Sequence, residues 1–295
     1  MRYTPIACAG ALVVALMTLG TRVPPDVPAD PSAMPLSRPE VAAEPAPSSA
    51  PTVAPQRTGP EGPGPRQGRY RRRNVNRYPG PIPTPEQWEP PEGPIRIALQ
   101  AGHWRASEAP DELRGLRDNG TSARGTPEWQ VNLEIARRAA AMLEPLGYVV
   151  DILPAVVPPD YRAHLFVSIH ADGSNDPGAS GFRVGSPRQD ATGRASRAAE
   201  LLQRSYGQAT GLRQLPDVTR RMSNYYAFNF RRYEHALHPM TVAVILETGF
   251  LTSASDWRVI VDDPDRAASG IVAAVTAFDV TSPPARLSVG AAALD

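Results

Sequence analysis

Proline is distributed very unevenly along the chain, and this limits how much of it can fold. Of the 34 prolines among 295 residues, 20 lie between Pro24 and Pro94, in a stretch rich in Ala, Ser and Gly with almost no large apolar residues. Such a stretch cannot bury enough apolar surface to offset the entropy lost on ordering. We therefore predict a disordered linker over residues 21–93, one folded domain over residues 94–279 and a flexible tail over residues 280–295.

The first 20 residues contain one charged residue, Arg2, and an apolar run from Pro5 to Gly20. This run is short for a membrane span, which needs about 20 apolar residues, but it suits the core of a signal peptide. The segment predicts a signal peptide or, if uncleaved, a membrane anchor, and hence export to the periplasm, the cell envelope or the medium. The single cysteine, Cys8, lies here, so the mature chain is predicted to have no disulfide.

Charge and motifs argue against two common classes of function, nucleic-acid binding and nucleotide binding. A net charge of +1 argues against a dedicated nucleic-acid binder, and no G-x-G-x-x-G or Walker loop follows a strand. All 31 basic residues are arginines, and residues 66–78 interleave Arg with Tyr inside the predicted linker. We interpret this cluster as solvated linker, with contact to an anionic polymer or to lipid headgroups as the alternative. The chain is expected to be a monomer.

Short apolar runs alternate with amphipathic segments in the predicted domain. Strands are predicted at 95–104, 148–153, 163–170, 178–186 and 241–250, and helices at 126–147, 193–211, 255–261 and 264–278. Continuous apolar strands that alternate with helices are typical of a mostly parallel sheet with helices on both faces. The sequence therefore predicts an α/β fold with one twisted, mostly parallel sheet.

Polar residues follow these strands at their carboxyl ends. His103 follows the first strand, His170 ends the third, and Glu247 follows the apolar run VAVIL. Glu128 lies in the first turn of the first predicted helix, at the same edge of the sheet. Since ligand sites of parallel sheets form at that edge, we expect these four residues to lie close together.

Their chemistry suggests a metal centre. Two imidazoles and a carboxylate suit a zinc site whose fourth position holds water. Asn132 lies one helical turn after Glu128, where its amide can orient the carboxylate. Glu247 ends a buried strand, where a raised pKa would suit acid–base chemistry. Taken singly, each histidine would more often be structural and Glu128 a helix-start residue favoured by the dipole, but their joint placement favours the metal site.

The remaining histidines fit a metal site less well. His164 stands too far along the strand from His170 to share an ion and is predicted to be structural or exposed. His235 and His238 have helical spacing, but Pro239 ends any helix there. Tyr225 or Tyr226 is predicted to pack in the core, with a groove wall that contacts peptide or sugar as the alternative.

Four segments, in this order, carry a resemblance to a known family. They are AGHW (101–104), EWQVNLEIA (128–136), LFVSIHAD (165–172) and ILETGFLTSASD (245–256). They resemble the zinc-dependent N-acetylmuramoyl-L-alanine amidases of the type 3 class, which are bacterial peptidoglycan hydrolases. The resemblance implies that His103, Glu128 and His170 bind zinc and that Glu247 is the catalytic carboxylate. Trp104 and Arg105 replace the glycines that usually follow the first histidine in that family.

The same resemblance implies an activity and a partner. The expected reaction is hydrolysis of the amide bond between N-acetylmuramic acid and L-alanine of peptidoglycan, by a zinc-activated water with a glutamate general base. A zinc peptidase that cuts within the stem peptide and a non-catalytic wall-binding module are the alternatives. The arginine-rich linker is then expected to contact an anionic wall polymer or lipid, if it contacts anything.

Overall fold

The computed structural model describes residues 78–117 and 120–282. The predicted signal peptide or anchor, the predicted linker up to residue 77 and the tail from residue 283 lie outside these ranges. So does the arginine-rich cluster, except for Tyr78. Within the described ranges, we find no helix with the length and apolar character needed to cross a membrane.

A five-stranded sheet forms the centre of the fold, with its strands in the order β4-β1-β5-β7-β6. The first four strands in this order are parallel, and β6 is antiparallel to β7. This arrangement confirms the predicted mostly parallel sheet. The strands are β1 (Arg96–Ala101), β4 (Val149–Leu153), β5 (Leu165–Asp172), β6 (Arg183–Gly185) and β7 (Val242–Phe250), while β2 (Ser122–Ala123) and β3 (Thr126–Pro127) form a separate antiparallel pair.

Helices cover the sheet, and the predicted α/β fold is confirmed. The long helices α1 (Glu128–Leu143), α2 (Ala195–Thr210) and α5 (Pro264–Ala277) pack on one face in a continuous apolar core. On the other face, the sheet packs against short elements that include the 3-10 turns Asp111–Leu116 and Tyr226–Phe228. The remaining helices are α3 (Arg220–Ser223), which packs on this second face, and α4 (Ala254–Ile260) after β7.

The folded part extends beyond the predicted boundaries at residues 94 and 279. Trp88 is buried in the core, and its Nε1 donates a hydrogen bond to the carbonyl of Met240, 3.0 Å away. The Arg194 guanidinium packs against the rings of Trp88 and Phe278, 4.2 and 4.8 Å from their centroids. Val280 is buried as well. Composition gave no sign of these anchors, because a single tryptophan does not change the average character of a proline-rich stretch.

Candidate metal centre

The structure brings the three predicted metal ligands together at the carboxyl end of the sheet. One potential ligand atom from each of His103, Glu128 and His170 lies within 4.8 Å of the others. The Oε1 atom of Glu128 is 3.1 Å from Nδ1 of His170 and 3.6 Å from Nε2 of His103. Imidazole nitrogen and carboxylate oxygen are donors that zinc accepts, and three protein ligands are typical of a catalytic zinc site. The donor set therefore fits a zinc ion.

Two glycines allow this close approach. A Cβ atom on Gly102 would lie 2.3 Å from Cε1 of His170, so only glycine lets the imidazole pack against the turn after β1. Gly120 has a φ of +71°, and a Cβ atom there would lie 2.2 Å from Oε2 of Glu128. His103 itself adopts a φ of 62°, in the left-handed region that non-glycine residues rarely occupy. The turn is thus shaped around the site.

The carboxylate of Glu128 is held by several hydrogen bonds. Its side chain is buried at the first residue of α1. The Thr121 amide donates to Oε2 at 2.9 Å, and the Ala171 amide donates to Oε1 at 3.1 Å. The Nδ2 of Asn132 donates to Oε1 at 3.2 Å and to the carbonyl of Gly102 at 3.1 Å. Asn132 therefore contacts both the carboxylate and the turn that carries His103, which is the position predicted for it.

The charges at this centre shift the pKa values of its groups. Burial alone would raise the pKa of Glu128, but the hydrogen bond with His170, the charges of His170 and His103 and the Thr121 amide lower it to about 2. Burial would lower the pKa of His170, yet its hydrogen bond to Glu128 and the surrounding carboxylates raise it. Without a metal, the centre therefore favours an ionised carboxylate next to a charged imidazole.

A hydrogen-bonded chain behind His170 sets the orientation of its ring. The Oε1 of Gln100 can only accept, and it receives hydrogen bonds from Ser168 Oγ at 2.8 Å and from the Tyr225 hydroxyl at 2.9 Å. The Tyr225 oxygen, 3.3 Å from Nε2 of His170, is thus left to accept from Nε2–H. This arrangement directs Nδ1 towards Glu128, as a metal ligand requires.

Sequence reasoning missed this chain. The sequence predicts Tyr225 in the core or on a groove wall, and it indicates no role for Gln100 or Ser168. A signal was present, because Ser168 is two residues before His170 and therefore on the same face of β5. Tyr225 comes from a segment far along the chain, so no spacing in the sequence indicates that its hydroxyl contacts His170.

Glu247 lies beside the three predicted ligands. It is paired with His170 in the register of β5 and β7, and Arg183 of β6 is opposite it on the other side. Removal from water, with a smaller contribution from the negative charges of Asp172 and Glu128, outweighs the opposing charges of His170 and Arg183 and raises the pKa of Glu247 to about 8. Arg183 in turn forms an ion pair with Asp172. Glu247 is therefore a carboxyl group that can exchange a proton near neutral pH.

All four residues face one cleft of about 960 Å³. The volume is typical of a site for a ligand the size of a short peptide or a sugar unit. Its opposite wall comes from residues 219–226, which include the exposed side chains of Arg220 and Arg221. The cleft thus lies between the carboxyl end of the sheet and a basic segment on its second face.

The other histidines have structural contacts. The Nδ1 of buried His164 accepts a hydrogen bond from the backbone amide of Arg96 at 3.0 Å, in agreement with a structural role. His235 is hydrogen-bonded to Glu112 at 2.9 Å, and Nδ1 of His238 accepts from a backbone amide two residues later. Among residues 78–117 and 120–282, the metal-binding group found includes none of the three.

At the edge of this α/β sheet, one cleft carries a donor set that fits a metal ion and, beside it, the carboxyl group of Glu247. Residues 156–277 match the Amidase_3 family model, whose description is N-acetylmuramoyl-L-alanine amidase. This match confirms the predicted resemblance to that family and the predicted enzyme class, a hydrolase. The matched range includes His170 and Glu247, whereas His103 and Glu128 precede it.

Solved structures with a similar chain trace were also found. The catalytic domain of CwlV, an N-acetylmuramoyl-L-alanine amidase from Bacillus (Paenibacillus) polymyxa var. colistinus, is 20% identical over 64% of this chain and 99% of that chain, with a TM-score of 0.42. The N-acetylmuramoyl-L-alanine amidase from Clostridium difficile 630 is 20% identical, with coverages of 63% and 97% and a TM-score of 0.45. The apo form of Ami1 from Mycobacterium abscessus is 21% identical, with coverages of 62% and 97% and a TM-score of 0.46. The comparison with curated proteins found no match.

Proposed function

We propose that the chain uses zinc to hydrolyse the amide bond between N-acetylmuramic acid and L-alanine of peptidoglycan. The observation that carries this proposal is the convergence of His103, Glu128 and His170 within 4.8 Å, beside Glu247 in one cleft. The match to the amidase family model over residues 156–277 supports the choice of substrate.

His103, Glu128 and His170 would hold the zinc ion. When bound, zinc supplies a positive charge that polarises a carbonyl group and makes water more acidic. Asn132 and the Thr121 amide keep the Glu128 carboxylate in place, so the donor atoms are arranged before a ligand arrives.

Glu247 moves the proton that this hydrolysis requires. In our proposal, Glu247 takes a proton from the attacking water, whose oxygen bonds to the carbonyl carbon of the lactyl group. Glu247 then gives the proton to the amide nitrogen, the carbon–nitrogen bond breaks and L-alanine leaves as an amine. In the metal-free chain, burial raises the pKa of Glu247, which favours proton transfer in both directions more than the pKa of an ordinary exposed carboxyl group would. The products are a stem peptide with a free amino terminus and a glycan with a free lactyl carboxylate.

The proposed substrate places the enzyme outside the cytoplasm. The predicted signal peptide or anchor fits this location, in the periplasm, the cell envelope or the medium. A linker as long as residues 21–77 would let the domain reach the wall from the membrane. We propose peptidoglycan as the partner of a monomeric enzyme.

Digestion of purified peptidoglycan tests the proposal. The full chain is freed of metal with a chelator, incubated with the wall with and without added zinc, and the released amino termini are labelled and identified. We expect new L-alanine termini only with zinc, and mass spectrometry should show intact stem peptides. Termini from inside the stem would identify a peptidase, and binding to the wall without hydrolysis would identify a binding module; either result overturns the proposal.

A further inference from the structure

A second cleft, of about 880 Å³, lies beside the metal centre on the same face of the sheet. One wall is the segment Gly80–Ile82, which the sequence assigned to the linker. The other wall is formed by Arg188, after β6, and by the segment from Ser223 to Arg232. Nothing described so far assigns a ligand to this space, although it is as large as many ligand sites.

The second cleft is strongly basic. Arg188, Arg231 and Arg232 line it with exposed side chains, and no acidic residue is among its described lining residues. None of these three guanidinium groups forms an ion pair within residues 78–117 and 120–282, unlike Arg96, which binds Asp151 at 2.7 Å. Guanidinium groups bind carboxylates through paired, charge-assisted hydrogen bonds. The cleft is therefore suited to an anion.

The backbone that carries these arginines is held by hydrogen bonds. The Asn229 side-chain amide donates to the carbonyls of Asn224 and Tyr225 at 2.9 and 2.8 Å, and the Arg232 amide donates to the Asn229 carbonyl at 2.8 Å. The Arg188 amide donates to the carbonyl of Ser223 at 3.0 Å, which joins the two parts of this wall. These bonds fix the backbone that carries the arginines before a ligand binds, which reduces the entropy lost on binding.

The two clefts share a wall. Asn224 lines both of them, and the next residue, Tyr225, contacts His170 of the metal centre. A chain-like ligand whose reacting bond lies at Glu247 can therefore continue past Asn224 towards Arg188 and Arg231. The second cleft is in the right place for a part of the substrate beyond the scissile bond.

The chemistry of the substrate decides which part this is. On the glycan side the sugar amines are acetylated and the lactyl carboxyl is consumed in the scissile amide, so this side offers little negative charge. The peptide side ends in at least one free carboxylate. We infer that the cleft lined by Arg188, Arg231 and Arg232 binds the carboxylate-bearing stem peptide while the metal centre holds the amide. This inference rests on the proposed function and adds the feature of the substrate that is recognised.

Chemical amidation of the wall tests this assignment. Purified peptidoglycan is used untreated, or after its carboxylates have been converted to amides with a carbodiimide and ammonia, and the initial rate of release of L-alanine termini is measured with zinc present. The wild-type enzyme should be about tenfold slower on the amidated wall, because a charge-assisted contact is lost. On the untreated wall, the double variant Arg188→Gln/Arg231→Gln should also be about tenfold slower than the wild-type enzyme. On the amidated wall, the variant and the wild-type enzyme should have the same rate.

A matched pair of arginines controls for general attraction to an acidic wall. Arg197→Gln/Arg204→Gln removes the same charge from exposed positions on α2, on the opposite face of the sheet. This variant should keep the wild-type rates on both walls. Equal wild-type rates on the two walls, or an equal loss in this control, would overturn the inference and leave the proposed function intact. Equal rates with arginine-dependent binding to a phosphate-bearing wall polymer would assign the cleft to that polymer instead. If no new L-alanine amino termini appear on either wall, the proposed function is overturned, and the inference with it.

Discussion

The two faces of the central sheet use alternate residues of the same strands, and both bury apolar side chains, but the second face adds polar groups at the carboxyl ends of its strands. On β5, Leu165, Val167 and Ile169 join the apolar core under the long helices, whereas Ser168 and His170 point to the other face, where His170 lines the cleft of the metal centre. Long helices seal the first face, but short helices and turns cover the second and leave room for ligands. The face under the long helices, the apolar face, thus supplies a rigid sheet. The second face, here called the polar face although it has an apolar core of its own, carries the groups of the metal centre.

The largest effect should come from Glu247 on the polar face. Glu247→Gln should lower kcat by roughly 10²–10⁴, because the amide cannot accept the proton of water. Zinc content measured by atomic absorption should stay the same, since Glu247 is not among the three ligands. Glu200→Gln on exposed α2 is the control and should keep full activity. A Glu247→Gln enzyme with normal turnover would show that another group is the base.

Next in size is a loss of packing on the apolar face. Ile135→Ala in α1 removes a side chain with 0% exposure and should lower the free energy of unfolding by about 2–5 kcal/mol. Urea denaturation measures this change, and Leu146→Ala, at a position with 58% exposure, should change stability by at most about 0.5 kcal/mol. Zinc affinity of the folded Ile135→Ala protein should be unchanged. If zinc affinity fell in parallel with stability, the two faces would not be separable.

A smaller effect is expected from the charges of the polar face in metal-free protein. The pKa of Glu128 is lowered from 4.5 to about 2 on folding, so its ionised form stabilises the fold at pH values above 4.5. That stability, about 3 kcal/mol, should be lost as the pH falls from 4.5 through about 2, because protonation abolishes the pairing with His170.

The pH dependence is best measured as a difference. Unfolding free energies of wild type and Glu128→Gln, both free of metal, are compared between pH 6 and pH 2. The advantage of wild type should shrink as the pH falls, since the amide that replaces the carboxylate in the variant does not titrate in this range. A difference that stays constant with pH would show that the carboxylate pairing adds nothing to stability.

The smallest effect should come from the hydroxyl group behind His170. Tyr225→Phe removes the acceptor for Nε2–H and should weaken zinc binding about 10- to 100-fold in a competition with a chelator. Tyr233→Phe, in the same segment but outside the cleft of the metal centre, is the matched control and should leave zinc binding unchanged. Equal zinc affinities of Tyr225→Phe and wild type would show that the Tyr225 hydroxyl does not orient His170 for zinc binding.

Much of this molecule is visible in its sequence, for reasons that are local. The apolar run before His170, the helix that starts at Glu128 and the apolar run before Glu247 each reveal their secondary structure through periodicity. Parallel strands then bring their carboxyl ends to a common edge whatever the loops do, so the approach of His103, Glu128, His170 and Glu247 to one another could be expected before any coordinates.

The remaining features depend on contacts between distant segments and have no local signature. The hydroxyl of Tyr225 reaches Gln100 across 125 positions, and Trp88 is anchored 152 positions away at Met240. The second cleft likewise has Arg188 and Arg231 on one wall and residues 80–82 on the other, and residues 80–82 lie in a stretch whose composition resembles a linker. Periodicity and composition report the neighbours of a residue along the chain, whereas these features arise from its neighbours in space, which are set by packing of the whole domain.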